Sequence, residues 1–413
     1  MAVLNSWQKI SRVIPGKPFG DGSDGAYSSA TIPTMTKQSC SGAADQTDLV
    51  IAGAAFSDND VILIIQMRGT GVGQWEVNKI ASGGGTTTLV MQQNLHYTYT
   101  DSGNSQAQVT KIPQYTNVTV QAGTWNVPAW NENVGGILTF ACKGTFANTG
   151  NISVSGSTGT RVTGASSYGG GASGGGFKGG NGRRIMPNNA VTSQKAEGTV
   201  GARSDGTTAN GNGGGGGYCA SSNYGGAGGG GGGHSAVGGN SAYGGAATGT
   251  GGTGGTVAGN SALTSMVFGG GGGGSANQDY DDHYAAGGSS GAGIILIFAN
   301  EATLSGLLLS KGANGISNSS DRGGAGGSAG GSVLICSSII DIGTNKISSI
   351  GGSGGYGNDG TTGGAGSKGR VAIYYGTSLT GSLSSTYYGT YTAEEDESLV
   401  EAVEGGAFLL NMI

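Results

Sequence analysis

GGGGGYCASSNYGGAGGGGGGHSAVGGNSAY, residues 213–243, is the stretch on which the fold turns. Glycine blocks alternate there with short segments carrying tyrosine, histidine and valine. The same texture runs from 164 to 293, where 47 of 130 residues are glycine, half of the chain's 92. Further blocks lie at 174–176 and 269–274. The segments between blocks include NGRRIMPNNAVTSQKAEG (181–198) and SANQDYDDHYAA (275–286), with SNSSDR (317–322) and YGNDGTT (356–362) further on. Two readings compete. Gly/Ser-rich sequence can be a flexible linker. It can also be a bundle of extended helices with three residues per turn, rising about 3.1 Å per residue and lacking internal hydrogen bonds. The N–H and C=O groups of such helices must find partners in neighbouring segments, and only glycine lets the backbones approach closely enough. A six-glycine block would span about 19 Å, and the segments between blocks become turns at the two ends. Interruption at short intervals by Tyr, Phe and Ile favours the ordered bundle.

The frame around this insertion repeats. Gly136, Gly293, Gly331 and Gly369 each precede an apolar run: ILTFA (137–141), IILIFA (294–299), VLICS (333–337) and VAIYY (371–375). The last three glycines are 38 residues apart. A second glycine follows each run, at 150, 306, 343 and 381, and then a second strand-like run: NISVSG (151–156), LLLSKG (307–312), KISSIG (346–351) and SLSSTYYG (382–389). Two strands per unit at fixed spacing predict stacked, solenoid-like β units, each completing its neighbour's core.

Ahead of the repeat, VILIIQ (61–66), TTTLVMQ (86–92), AQVTKI (107–112) and NVTVQAG (117–123) are β-branched runs punctuated by turn residues, as expected of an antiparallel β module. The organisation read from the chain is therefore all-β. An attachment arm (1–20) holds Trp7, Ile10, Val13 and Ile14, ended by Pro15 and Pro18. A β module (21–135), stacked units framing the polyglycine-II insertion (136–392) and an acidic, then apolar tail (393–413) follow. In that tail Glu394, Glu395, Asp396 and Glu397 precede Phe408, Leu409, Leu410, Met412 and Ile413; the acids suit the first turn of a helix.

Composition narrows function. With 6 prolines and no strict glycine period the chain is not collagen. At 35% hydrophobic and 10% charged it does not read as a solvated disordered chain. Lys+Arg 19 against Asp+Glu 24 leaves no basic surplus for nucleic acid. No apolar run approaches the ~20 residues that cross a bilayer, and the start lacks a secretory pattern. Cys40, Cys142, Cys219 and Cys336 are dispersed and read as buried thiols, without a disulfide or zinc framework. His96, His234 and His283 have no Ser/Asp partners at recognisable spacing, so no hydrolase triad is implied. The expectation is of no enzyme and no cofactor.

The alternation of glycine blocks and short variable loops across roughly 164–370 resembles the receptor-binding adhesins at the tail-fibre tips of T-even-like bacteriophages. That resemblance implies a sandwich of polyglycine-II helices whose distal loops bind outer-membrane receptors. FGDGSDG (19–25), IIQMRGTGVGQWE (64–76) and GGILTFACKGTFANTGNISVSG (135–156) are also similar to Gly-rich bacterial surface proteins. The long β module and the acidic tail lie outside the phage pattern.

Candidate receptor contacts are the residues between blocks. Tyr218, Tyr224, Tyr243, Tyr280, Tyr284 and Tyr356 can stack on a sugar or anchor a protein interface, or simply close the ends of the bundle, a thin slab one glycine block high. Arg183 and Arg184 can fork onto carboxylate or phosphate, or be a solvated pair. His234 sits in HSAV (234–237). Asp279, Asp281, Asp282 and His283 form the densest polar cluster: a recognition loop, a solvated turn or a cation site. The leading reading is a virion tail protein, made in the host cytoplasm, that meets other virion proteins through its N-terminal module. It would bind a host-surface protein or glycan, with no nucleic acid, no membrane insertion and possible homo-oligomerisation. The alternative is a bacterial surface or filament-forming structural protein with no specific receptor.

Overall fold

A computed structural model of the protein describes residues 18–161, 168–169, 174–185, 190–220, 225–244, 249–278, 285–317, 323–357 and 361–399. It is all-β, with several sheets and one closed barrel. The four apolar runs after Gly136, Gly293, Gly331 and Gly369 lie in the strands Ile137–Asn148, Ile294–Leu304, Ser332–Thr344 and Arg370–Ser382. They pair in parallel in that order, Ile137 opposite Ile294, Ile294 opposite Ser332 and Ser332 opposite Arg370. Tyr27–Ser29 and Val118–Val120 extend the sheet on one side, and Thr390–Glu395 ends it on the other. These strands are apolar on both faces because both faces are covered. Leu138, Phe140, Ile295, Ile297, Val333 and Ile335 fill one core. Leu296, Phe298, Leu334, Cys336 and Ala372 line the other.

The first core is closed by a second parallel sheet of Thr124–Asn126, Asn151–Ser153, Leu308–Leu309 and Ile347–Ser348. Trp125, Ile152, Leu308 and Ile347 form its inward row. Side-chain amides tie successive layers: Asn151 Oδ1 accepts the Leu307 N–H at 3.0 Å, and Asn345 Oδ1 the Ser384 N–H at 2.8 Å. The last second-strand run departs from expectation. SLSSTYYG contains no strand after Ser382; instead Ser385–Tyr387 is a 3-10 turn, with the Ser384 side chain accepting the Thr386 N–H. Local capping by the Ser384 side chain takes the place of regular strand pairing in this turn.

The antiparallel strands Lys37–Ser41, Asp48–Ile51, Val61–Arg68, Trp75–Ser82, Thr88–Met91 and Gln106–Lys111 close into a barrel. Ile62 and Ile64 point into it beside Leu49, Ile80, Leu89 and Val109. Val61, Leu63, Ile65 and Met67 pack outward onto the long sheet. Two buried faces explain the unbroken apolar run at 61–65. The runs at 114–126 stay outside the barrel, joining the two parallel sheets.

The glycine segments obey a count of three. In 324–330, the N–H groups of Gly324, Gly327 and Gly330 donate to the carbonyls of Thr361, Gly364 and Ser367. Ala325 and Ser328 donate to Ile316 and Ala313, and Gly326 and Ala329 to Gly273 and Gly270. Every third residue returns to the same neighbour, so the donors of the run divide among three neighbouring segments. The block 228–233 behaves alike: Gly229 and Gly232 donate to Gly324 and Gly327, Gly230 and Gly233 to Gly215 and Asn212. A Cβ on Gly230 or Gly273 would come closer than 3.0 Å to the carbonyl of Thr253 or Gly215, nearer than real Cβ atoms come. Side chains enter only where room exists, as at Ala325, Ala329, Ser289 and Ser328, all buried.

The tail's acids do not open an α-helix. Glu394 and Glu395 end the strand Thr390–Glu395, and Glu397 begins a 3-10 turn to Leu399. The apolar end, Phe408 to Ile413, and the arm 1–17 lie outside the described residues.

Candidate functional site

The glycine segments run between two ends of different character. At one end they dock on the barrel and the long sheet. Phe268 packs edge-on against Trp130 (5.3 Å) and Phe177 (5.4 Å). Glu197, wholly buried, accepts from the Arg68 guanidinium of the barrel, from Trp130 Nε1 at 2.8 Å and from the Lys178 N–H at 3.1 Å. Burial raises the Glu197 carboxyl above its ordinary range, against the opposing pull of Arg68. Around this junction Glu132 bridges Arg203 (3.0 Å) and Lys178 (3.5 Å). Trp75 Nε1 donates to Leu263 O, and the Met266 N–H to Gly73 O.

The opposite end is built from short strands. Tyr168–Gly169, Gly182–Ile185, Ala276–Gln278, Gly225–Ala227 and Tyr243–Gly244 form one small sheet in that order. Val191–Thr192, Tyr218–Cys219 and Gly249–Thr250 form another. Between them lies a small apolar cluster of Val191, Cys219, Ala227 and Ala276, whose burial lifts the Cys219 thiol to about 12. The later segments reach the same end. Arg161 bridges to Ala286 and donates to Ser317 O at 2.5 Å, the Tyr356 N–H donates to Ser317 Oγ, and the Ala242 N–H to Thr362 O. Thus the residues flanking 162–167, 186–189, 221–224, 245–248, 279–284, 318–322 and 358–360 converge on one end, away from the barrel.

The sequence candidates divide accordingly. Tyr218 is half-buried at this end and Tyr356 is 53% exposed. Tyr243 contributes backbone, opposite Ala227. Arg183 lies there with its guanidinium 3.6 Å from Asp205, both partly exposed. Arg184 is 6% exposed, so the pair does not present a two-pronged cationic fork. Tyr224, Asp279, Tyr280, Asp281, Asp282, His283 and Tyr284 lie outside the described residues. Among those described, no group of three His, Cys, Asp or Glu side chains could hold a metal.

His234 is the clear correction. It lies at the docked end, fully buried, with Nε2 3.1 Å from Ser332 Oγ and 3.3 Å from Val267 O. HSAV is therefore a turn against the long sheet, and the His234 ring cannot touch a receptor. Burial, with the Arg370 guanidinium nearby, lowers His234 to about 3. This folded value lies below the ordinary 6.5, so the stability held by the neutral ring is whole above that pH and is lost as pH falls toward 3. We expect unfolding free energy to drop by about 1.4 kcal/mol per pH unit below about 6.5 on this account. Urea titrations across that range should show His234→Gln flattening the slope.

Sequence reading missed Glu197, Arg68 and Trp130 as a junction, and Arg161 and Asp205 at the far end. Nothing in their spacing marks them, since each partner lies many residues away.

No protein-family model and no curated protein matches the chain. Among solved structures it is similar to the Gp54 tailspike of Acinetobacter baumannii bacteriophage AP22, in complex with A. baumannii capsular saccharide. The identity is 10% and the TM-score 0.19, over 88% of this chain and 57% of the tailspike. The chain thus spans little more than half the tailspike's length, at a score too low to assign a shared fold. No helix among the described residues is long and apolar enough to cross a membrane.

Proposed function

We propose that the chain is a virion structural protein, a tail-fibre-tip or receptor-binding adhesin, whose loop-bearing end engages a protein or glycan on the host surface. The single observation that carries this reading is the convergence, on one end, of the described residues that flank seven inter-block segments, while the other end is buried against the frame. In this reading the glycine segments are polyglycine-II helices, supported by the three-residue recurrence of their hydrogen bonds. The long strands with their short followers act as solenoid-like units, supported by parallel pairing that stays in register over the first six residues of each strand. The arm and the barrel-containing module are the attachment side, meeting other virion proteins. Backbone hydrogen bonds hold the slab, so its loops are free to change in sequence and with them the receptor.

The test is exchange of 218–224 and 275–286 for Gly/Ser sequence of equal length, followed by binding of the labelled protein to a panel of bacterial cells. Binding should fall to background, while Val237→Ser, at the docked end, leaves it unchanged. Retained binding by the exchanged protein, with its thermal unfolding intact, overturns the assignment. A second reading, a surface or filament-forming structural protein, is favoured by one observation: no strand among the described residues covers the outer edge of Thr390–Glu395.

A further inference from the structure

The long sheet stops at Thr390–Glu395, and no further strand pairs with it among the described residues. The Asp396 N–H donates to Tyr375 O. Because residues of a parallel ladder alternate in the side to which they offer N–H and C=O, Thr392 and Glu394 face the Arg370–Ser382 strand. Tyr391, Ala393 and Glu395 then offer their backbone groups outward. Such a row of unpaired groups is a template for another strand. Its charges are polarised. Glu394, Glu395, Asp396 and Glu397 crowd its C-terminal end, while the exposed Lys368 stands beside its N-terminal end, two residues before Arg370, the partner of Thr390. Near that basic end lie two exposed valines, Val237 (61%) and Val257 (50%). They are linked to it through Ser235 Oγ, which donates to Lys368 O at 2.6 Å, and through the Gly238 N–H to Gly255 O bond.

The geometry points to self-association: two copies of this chain pair through Thr390–Glu395, antiparallel, about a two-fold axis through Ala393. Isologous edge pairing of strands has to be antiparallel, so that each copy supplies what the other needs. With the axis at Ala393, Glu395 of each copy meets Tyr391 of the other, and the acidic end of each lies over the end flanked by Lys368. The two Glu395 carboxylates stay about 14 Å apart, beyond the usual screening length. A parallel arrangement would instead bring like charges together. The antiparallel pairing sets the two loop-bearing ends at opposite poles, so the pair joins two surfaces. This inference does not rest on the receptor-binding reading and can fail without it.

The test uses the full chain in solution. Sedimentation should show reversible dimers at roughly ten micromolar, as suits a small interface. Ala393→Pro removes an outward donor and should give monomers. Glu395→Lys or Lys368→Glu should each weaken association roughly fivefold, and the two together restore it. Ala393→Cys should form a symmetric disulfide on oxidation, since directly bonded pairs sit about 5.5 Å apart at Cα; the four native thiols are buried. A chain that stays monomeric, or an Ala393→Cys variant that does not cross-link, overturns the proposal. So does a chain that dimerises only after residues 400–413 are removed, because its own tail then occupies the edge.

Discussion

Gly273→Ala is expected to destabilise the protein by about 3 kcal/mol or more, an unusual cost for one methyl group. The Cβ would collide with the Gly215 carbonyl, and a backbone atom cannot rotate aside as a side chain does. Relief requires moving the segment, which stretches the bonds from Gly273 N to Gly230 O and from Gly326 N to Gly273 O. Each buried group left unpaired costs a further 1–3 kcal/mol or so. The matched control is Ala329→Gly in a neighbouring segment. There the site already admits a Cβ, and the expected loss is about 1 kcal/mol, mainly chain entropy. Denaturant midpoints of the two variants measure the contrast. Equal midpoints would show that the glycines are not close-packed.

The second large effect is expected at the junction. Glu197→Ala leaves the Arg68 guanidinium buried without its counter-charge, and Trp130 Nε1 and the Lys178 N–H without their acceptor. Breaking one side of a buried ion pair costs about 3–5 kcal/mol. The glycine segments contribute little apolar surface, so their attachment leans on this junction and on Phe177, Phe268 and Trp130. Amide exchange should therefore quicken through 213–217 and 228–233 in Glu197→Ala, while the barrel amides of Val61–Arg68 stay protected. Exchange that quickens uniformly would show that slab and barrel unfold as one unit.

Much of the frame could be read from the chain because its signals are local. An apolar run after glycine, repeated at 38 residues, fixes a strand, and the strands at Ile294, Ser332 and Arg370 stand in register as that spacing requires. The barrel and the destination of 114–126 were less legible. NVTVQAG has the same alternation whether it pairs antiparallel or parallel, and only tertiary contacts decide. His234 shows a further limit. Between glycine blocks it looks like any loop residue, yet which end of the slab a turn occupies depends on the parity of the segments before it. The same ambiguity hid Glu197, which sits in a segment otherwise indistinguishable from its neighbours.

The three-fold recurrence of hydrogen bonds along 324–330 bears on how such a chain can change length. On the proposed polyglycine-II reading, removing one residue from that run would rotate everything after it by about a third of a turn, so that donors aimed at Thr361, Gly364 and Ser367 would meet other neighbours. Removing three would shorten the run by one turn and leave the phase intact. Length changes within a glycine block should therefore be tolerated in threes, whereas those between blocks follow no such arithmetic. The slab thus carries a reading frame of its own, set by backbone geometry and independent of which residues its loops contain.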